Sequence, residues 1–540
     1  MSRFRSPTRW PRRMSRSRPV RSGASRGRPG GFRLEGAVPA EWAGRRVEVV
    51  IDPGFTDDGP GFQAEGLVYD AHGVPLKGIH PRNRHIPVAS PADGGEPVRL
   101  LLEAAANPSV LRDGFAPTPL GDVLTAGDRP LYRFASADVA VLDEDVWHLV
   151  LDIEVLSELM RELPADRPRR HEILRALENA LDALDLHDVP ATAAAARAEL
   201  AGVLERPAHA SAHRVSAAGH AHIDSAWLWP LRETVRKASR TFANVTALAG
   251  DYPELVFACS QAQQYAWVKE HQPHIWERIK KAVAEGNWAP VGSMWVESDA
   301  NMPGGEALAR QIVHGKRFFV EELGVDTEEI WLPDSFGYTA AFPQLAKLAG
   351  VKWFLTQKLS WNQSNKMPHH TFWWEGIDGT RVFTHFPPVD TYNAQFSAAE
   401  LAHAEKNFRR QGPRHPLTGP LRLGRRRGRP HPGDAGEGAP AGLPGGLAEG
   451  RDPQAVGVLH GGGAGVRGQG AGVVGRAVSG AAPGHVHHPG GHQAGQPAQR
   501  TPAAGGRVVG HGRRAPRARV RLSVRRPGPN LEDGTAAPVP

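Results

Sequence analysis

A sharp change of composition at residue 409 limits which part of this chain can fold. Residues 409–540 contain no Phe, Trp, Tyr, Ile, Met, Lys or Cys, and Gly, Ala, Pro, Arg and His are abundant there. Such a segment cannot offset the entropy that is lost when its backbone is ordered. We therefore expect it to be disordered, together with residues 1–31, a basic leader rich in Arg, Ser, Pro and Gly. The chain has 540 residues, enough for two or three domains.

The charge balance and the single cysteine narrow the function classes. The formal net charge is +8, but the excess lies in the two terminal segments, and residues 1–31 have few aromatic side chains that could stack on bases. We expect no nucleic-acid partner; an RNA-binding arm is the alternative. A lone Cys259 excludes an intramolecular disulfide and is consistent with a reducing compartment. No run reaches the ~18 apolar residues of a membrane helix. We expect a cytoplasmic protein without a membrane partner; a homo-oligomer is compatible with the sequence.

Periodicity divides the middle of the chain into three parts. Residues 32–145 contain short alternating runs between Gly, Pro and Asp turns, which predicts an antiparallel β-sandwich. Residues 146–212 repeat apolar side chains at intervals of three and four, which predicts a helical linker. The repeat comprises Val146, Leu149, Val150, Ile153, Leu156, Leu159, Ile173, Leu174, Leu177, Leu181 and Leu184. From residue 213 to 408 strands and helices alternate, which predicts an α/β domain with a mainly parallel sheet and polar clusters at its carboxyl edge. We expect this domain to be barrel-like and to be the catalytic domain.

The segment GHAHIDSAWLWP, residues 219–230, carries the first candidate site. Side chains two apart in a strand face the same way, so His222 and Asp224 project together from a strand end. One imidazole nitrogen and one carboxylate oxygen make half of a zinc site. His220 shares that face, either as a third ligand or, as we favour, as a second-sphere partner that orients a ligand. The alternative for the segment is a solvated loop with a capping Asp.

A second candidate lies in WLPDSFGY, residues 331–338. Asp334 follows an apolar strand and Pro333 and precedes a Gly-containing turn, where a strand ends and a pocket can open. A carboxylate at such a place could bind a metal or attack an anomeric carbon. An equally weighted alternative is the N-cap of a helix that begins near Thr339.

Several tryptophans indicate the kind of substrate. They lie in polar, Gly- and Pro-rich settings, at Trp227, Trp229, Trp288, Trp295, Trp361, Trp373 and Trp374. Flat rings of this kind pack on the apolar faces of sugars, whereas core packing is the alternative for each one singly. With Glu297, Asp299 and Glu306 beside them, the set favours a carbohydrate pocket. We assign substrate binding to Trp227, Trp229, Trp295 and Asp299.

Four motifs resemble the glycoside hydrolase family 38 alpha-mannosidases of the bacterial and vacuolar branch. They are GHAHIDSAWLWP, GSMWVESDANMPGGEAL, IWLPDSFGYTAAFPQLAKLAGVKWFLTQKLSWN and PHHTFWWEGIDGTRVFTHFPP, and the similarity spans roughly residues 32 to 408. The resemblance implies that His222, Asp224 and Asp334 bind Zn²⁺ and that Asp334 is also the nucleophile. It further implies a terminal α-mannoside or mannose-containing glycan as substrate, held through its 2- and 3-hydroxyls and hydrolysed with retention. We place Lys358 of the TQKL segment near Asp334, where it would keep the carboxylate ionised and contact the substrate.

The chain departs from the family pattern after residue 408. Neither the Gly-rich loop with the general acid/base Asp nor a fourth zinc ligand in an HDxxPG motif is readable. The codons of LRLGRRRGRPHP, residues 421–432, are compatible with FGWGDGGGGPTR when read one nucleotide later, which places the acid Asp under Arg425. We therefore expect a frameshifted tail and weak activity, since loss of a general acid costs ~100- to 10,000-fold. The alternative is a natural basic tail.

Three other functions stay open at this stage. A metal-dependent carbohydrate deacetylase also uses His and Asp on an α/β scaffold, and it would release acetate. A basic nucleic-acid-binding protein would bind with steep salt dependence through residues 1–31 and 409–540. An inert fragment would lose residues 32–408 rapidly to proteolysis.

Overall fold

A computed structural model describes most of the central part of the chain. The described residues are 29–56, 59–61, 63–107, 131–208, 216–227, 229–409, 518–519 and 521–523. The proposed frameshift, Arg425 and most of the predicted disordered termini lie outside them. Within these ranges, no helix combines the length and the apolar character that a membrane span requires.

The first domain is an antiparallel sandwich, as the alternating runs predicted. Its strands are β1 (Pro29–Ala37), β2 (Arg46–Asp52), β3 (Glu65–Tyr69), β4 (Pro75–Ile79), β5 (His85–Ala89), β6 (Pro97–Ala105) and β7 (Ser136–Leu142). One sheet contains β1-β6-β3-β4 and the other β7-β2-β5, and every pairing is antiparallel. In β2 the alternate residues Val47, Val49 and Ile51 are buried in the core between the sheets. The period of two in the sequence therefore selects the buried face.

Two short strands correct the prediction that residues 409–540 are disordered throughout. β15 (Ala518–Arg519) pairs antiparallel with β7, and β16 (Arg521–Ser523) pairs antiparallel with β1. Both lie at sheet edges, where the unpaired backbone groups of the outer strand can accept a further strand. The composition argument considered only core burial and so missed edge pairing. At the other end, β1 begins at Pro29, inside the leader that was predicted to extend to residue 31.

Three helices follow the sandwich. They are α1 (Glu144–Glu162), α2 (Pro168–Asp182) and α3 (Val189–Leu204). The side chains of Asp143 and Asp188 accept backbone N–H bonds at the starts of α1 and α3, which satisfies donors that have no partner within the helix. The apolar stripe packs together around Leu149, Leu156 and Ile173. Of the predicted stripe, Val150, Leu174 and Leu181 are exposed.

The second domain alternates strands and helices, and its strands form two described sheets. The strands are β8 (Gly219–His220), β9 (Phe257–Cys259), β10 (Trp288–Pro290), β11 (Glu329–Trp331), β12 (Trp353–Leu355), β13 (Thr371–Glu375) and β14 (Arg381–His385). The helices are α4 (Leu231–Asp251), α5 (Ala262–His271), α6 (Pro273–Ala284), α7 (Gly305–Leu323), α8 (Phe342–Leu348) and α9 (Ala398–Arg409). Strands β10-β9-β8 are parallel, and so are β11-β12-β14, with β13 antiparallel at the edge. The expectation of a mainly parallel sheet is thus met, but these sheets do not close into the expected barrel among the described residues.

A buried ionic network joins the two domains. Glu65 of β3 accepts hydrogen bonds from Lys237 Nζ at 2.9 Å and from Arg240 Nη1 at 2.6 Å, both on α4. The same Arg240 nitrogen donates to Glu233 at 2.7 Å. A Cβ added to Gly78 of β4 would lie 2.9 Å from Arg240 carbonyl oxygen, so the strand can approach the helix closely only without a side chain there. The buried ion pairs and the close approach at Gly78 therefore hold α4 against strands β3 and β4 of the sandwich.

Candidate metal centre and active site

The candidate site is assembled at the carboxyl ends of parallel strands. Each of the six parallel strands is followed in sequence by at least one polar side chain of the site. His222 and Asp224 follow β8, Ser260 follows β9, Glu297 follows β10, Asp334 follows β11, Lys358 follows β12 and Tyr392 follows β14. Carboxyl ends of neighbouring parallel strands meet at one edge, so residues far apart in sequence become neighbours.

Three predicted ligands lie within reach of one cation. One ligand atom each from His222, Asp224 and Asp334 falls within 4.8 Å of the others. His222 Nε2 is 3.5 Å from Asp224 Oδ1 and also 3.5 Å from Asp334 Oδ2. The His222 and Asp334 side chains are 6% and 9% exposed and that of Asp224 is 31% exposed, so Asp224 is the member of the group that solvent reaches most. The structure thus brings together the two motifs that sequence reasoning combined.

The chemistry of this donor set fits a divalent metal. The 3.5 Å separations exceed the length of an N–H···O hydrogen bond, and His222 Nε2 has no hydrogen-bond partner although it is buried. Without a metal, this nitrogen is therefore balanced by two carboxylates at ion-pair distance and by no short hydrogen bond. One imidazole nitrogen with two carboxylate oxygens is a set that zinc accepts.

The electrostatics of the site keep a proton on His222 and remove one from Asp334. Burial would lower the pKa of His222, but Glu297, Asp224 and Asp334 outweigh it and hold that pKa well above its ordinary value. Burial likewise raises the pKa of Asp334, yet His222 and Lys358 bring it below its usual range. A cation that binds here therefore replaces the imidazole proton.

Lys358 lies beside Asp334, where the sequence placed it. Its Nζ donates to Asp334 Oδ1 at 2.5 Å, so Oδ2 is the oxygen that points toward His222. The ammonium lies over the rings of Phe336, at 3.7 Å from the centroid, and Trp361, at 4.6 Å. Two aromatic faces therefore help to hold the lysine charge against the carboxylate.

Two contacts at His222 come from residues that the sequence did not assign to this role. His222 Nδ1 donates to Glu297 Oε2 at 2.7 Å, whereas His220, the predicted second-sphere partner, donates its Nδ1 to Ala258 O at 3.0 Å. The Tyr392 ring lies 5.3 Å from the His222 ring. The Tyr392 hydroxyl is hydrogen-bonded to Asp334, and burial together with that carboxylate raises the pKa of the tyrosine. A polar residue after each parallel strand was the signal that could have found both.

The tryptophans separate into different environments. Trp288 is fully buried against Phe242 and Phe257, so its predicted contact with sugar is wrong and the core alternative holds. Trp361 lies at the site, with its ring 5.1 Å from Tyr392 and its Nε1 donating to Asp390 O. The position of an indole relative to the core could not be inferred from polar neighbours in sequence.

The other predicted aromatic residues lie near the domain junction or beside the core. Trp227 and Trp229 pack edge to face at 5.1 Å, and Trp229 Nε1 donates to Thr234 on α4. Trp295 Nε1 donates to Gln263 at 3.0 Å, and its ring packs against the core of the second domain. Substrate contact by these three residues stays a prediction.

Two predicted acidic neighbours lie at the surface. Asp299 is exposed, and its Oδ1 accepts the backbone N–H groups of Asn301 and Met302, which forms a turn. Glu306, in the first turn of α7, pairs with Arg310 one turn later. Asp299 therefore has an established structural role, and its contact with substrate stays a prediction.

Comparison with known proteins agrees with this geometry. Residues 212–427 match the glycosyl hydrolases family 38 N-terminal domain, and residues 30–140 match the alpha-mannosidase jelly roll domain. The first match extends beyond residue 408, where the sequence predicted that the catalytic domain ends. Both matches are to domains of glycosyl hydrolase families, which is the class of protein that the sandwich and the mainly parallel sheets resemble.

Curated relatives narrow the class to a family. The chain is 38% identical over 386 residues to Alpha-mannosidase 2C1 of Homo sapiens, covering 71% of this chain and 36% of the relative. It is 32% identical to Alpha-mannosidase G of Dictyostelium discoideum, covering 70% and 34%, and 37% identical to Alpha-mannosidase of Saccharomyces cerevisiae, covering 52% and 27%. The chain belongs to glycosyl hydrolase family 38. It spans about a third of the length of the curated relatives it matches.

Proposed function

We propose that this protein hydrolyses terminal α-mannosides with retention of configuration and that it requires zinc. The observation that carries the proposal is the convergence of His222, Asp224 and Asp334 from two strand ends within 4.8 Å, in a chain of family 38. The relatives named alpha-mannosidase support mannose-containing glycans as the substrate class. A cytoplasmic location is part of the same proposal.

In the proposed reaction Asp334 attacks the anomeric carbon. The glycosidic bond breaks as the Asp334 ester forms, and the departing oxygen takes its proton from water, since the family's acid is replaced. A second water molecule then cleaves the ester, which releases mannose with retention and restores the Asp334 carboxylate. Lys358 keeps Asp334 ionised and therefore nucleophilic, because it lowers the pKa of that carboxyl and its charge is not displaced when a metal replaces the proton of His222. The Tyr392 hydroxyl orients the same carboxylate through its hydrogen bond.

Zinc, when bound, supplies positive charge that can hold adjacent sugar hydroxyls. His222, Asp224 and Asp334 would hold it, and because Asp334 is also the proposed nucleophile, the positive charge would be supplied at the reacting carboxylate. The exposed ring of Phe336 and the half-exposed ring of Trp361 offer apolar faces for a pyranose beside Lys358. Trp227, Trp229, Trp295 and Asp299 complete the proposed substrate-binding set.

We also propose that turnover is weak. The proposed proton donor of the family loop is replaced, since residues 421–432 read LRLGRRRGRPHP and place Arg425 where an acid is expected. Among the described residues, the metal group has three ligands. Loss of a general acid lowers the rate by ~100- to 10,000-fold when the leaving group needs protonation.

Hydrolysis of two aryl α-mannosides by the purified full-length chain tests this function. An activated aryl leaving group needs little protonation, so we expect measurable release of mannose from that substrate. From a substrate with a poor leaving group we expect the rate of release to be lower by ~100-fold or more. A chelator should abolish release, Zn²⁺ should restore it, and Asp334→Asn should remain inactive with Zn²⁺. Acetate release from an acetylated sugar without mannoside cleavage would replace the proposal with the deacetylase alternative. Brisk cleavage of both mannosides would contradict impairment alone.

A further inference from the structure

We propose that Glu297 is a positioning residue that fixes the ring of His222 and thereby sets the affinity of the metal centre. The inference rests on the proposed metal function and extends it to a residue outside the three ligands. Its basis is the hydrogen bond of 2.7 Å between His222 Nδ1 and Glu297 Oε2, in which both side chains are nearly excluded from water, at 6% and 5% exposed.

The direction of this hydrogen bond determines which nitrogen of His222 is available. A carboxylate can only accept, so Nδ1 carries the hydrogen, and in the neutral ring Nε2 carries the lone pair. Nε2 is the atom that lies 3.5 Å from both Asp224 Oδ1 and Asp334 Oδ2 and has no hydrogen-bond partner. Glu297 therefore selects the tautomer whose free nitrogen faces the other two ligands.

Glu297 is itself held in place from two sides. Ser260, which follows β9, donates its hydroxyl to Glu297 Oε1, so both carboxylate oxygens are engaged. The backbone before Glu297 is tied to α7, because the Val296 N–H donates to the Gln311 side chain at 3.0 Å and the Trp295 N–H to the Gln311 carbonyl at 2.9 Å. The carboxylate is thus presented on a supported loop.

Among the residues that the structure describes, Glu297 is the side chain that is hydrogen-bonded to His222 Nδ1. His220, the sequence-based candidate, donates to Ala258 O, and its described hydrogen bonds do not reach the ligand group. Partners that fix a ligating histidine in this way typically contribute 10- to 100-fold to metal affinity. We expect Glu297 to contribute by the same mechanism, through His222 and without contact to substrate.

Zinc titration of the full-length chain tests the inference. Glu297→Gln keeps the side-chain volume but removes the charge and offers an amide that can donate to Nδ1 and so favour the wrong tautomer. We expect its Zn²⁺ affinity, measured by competition with a chromophoric chelator, to fall ~10- to 100-fold. Glu277→Gln is the matched control, since Glu277 is an exposed residue of α6 paired with Lys280, and its affinity should equal that of the wild type.

A spectroscopic measurement separates positioning from a loss of fold. The visible absorption bands of bound Co²⁺ report the geometry of its ligands, and we expect them to change in Glu297→Gln while far-ultraviolet circular dichroism does not. Ser260→Ala, which leaves the carboxylate in place, should weaken Zn²⁺ binding less and also shift these bands, and it serves as the test if Glu297→Gln unfolds. Unchanged affinity and bands in the folded variant would overturn the inference alone. Absence of Zn²⁺ binding by the wild type would overturn the metal site and the inference together.

Discussion

Replacing Glu65 by Gln should destabilise the protein by about 3 to 4 kcal/mol at neutral pH. Burial raises the pKa of Glu65, but Lys237 and Arg240 outweigh it, and the pKa falls from 4.5 to about 2. A tenfold change in proton affinity corresponds to about 1.4 kcal/mol, so the difference from 4.5 corresponds to roughly 3 to 4 kcal/mol. Removal of one partner from a buried ion pair independently suggests ~3 to 5 kcal/mol, because the remaining charges stay buried without compensation.

Urea denaturation followed by tryptophan fluorescence measures this loss. The matched control is Glu35→Gln on β1, whose pair with Arg33 is exposed and should contribute less than about 1 kcal/mol. The pKa of Glu65 is lowered by folding, so its contribution is complete above the unfolded pKa near 4.5 and is lost as pH falls through the folded pKa of about 2. The wild type and Glu65→Gln should therefore converge in stability as the pH is lowered across that window. A loss below about 1 kcal/mol at pH 7, or a difference that does not change with pH, would refute the reasoning.

Two further predictions concern packing and charge. Gly315→Ala in α7 should lower the stability of the protein although Ala has the better helix propensity, because the added Cβ would lie 2.4 Å from the backbone carbonyl carbon of Met294. Gly202→Ala in α3 is the control, since nothing lies within 4 Å of its added Cβ, and it should raise the stability by about 0.5 to 1 kcal/mol. Equal effects in thermal unfolding would contradict this. Lys358→Met should move the acid limb of the pH–activity profile to higher pH, because the pKa of Asp334 loses a cation that lowers it. Lys352→Met, at an exposed position, should leave the limb in place.

The convergence of His222, Asp224 and Asp334 could be predicted because the signals are local. His222 and Asp224 follow one strand, Asp334 follows another, and a parallel sheet brings such ends to one edge. The placement of Lys358 near Asp334, which accompanied the family resemblance, is confirmed by the 2.5 Å contact between Nζ and Oδ1. The antiparallel sandwich was predictable for a similar reason, since the alternation of side chains within a strand is written in adjacent residues.

Long-range neighbours could not be predicted. Glu297 lies 75 positions from His222, and the sequence offered no means of choosing it over Glu306, which is exposed on α7. Polar surroundings in sequence likewise indicated a sugar contact for Trp288, whose ring is buried between Phe242 and Phe257. The strands at residues 518–519 and 521–523 were missed because pairing at a sheet edge depends on a neighbouring strand with unpaired backbone groups rather than on composition.

The sequence by itself determined which residue types stand at the strand ends, and therefore that a histidine and two aspartates could chelate a cation. Only the tertiary structure decided which nitrogen of His222 faces that cation, because the answer depends on a carboxylate from another strand end. It also decided that Glu65, Lys237 and Arg240 are buried together between the domains. Residue chemistry and periodicity are local properties of a chain, whereas the tautomer of a ring and the partner of a buried charge are determined by distances that folding alone creates.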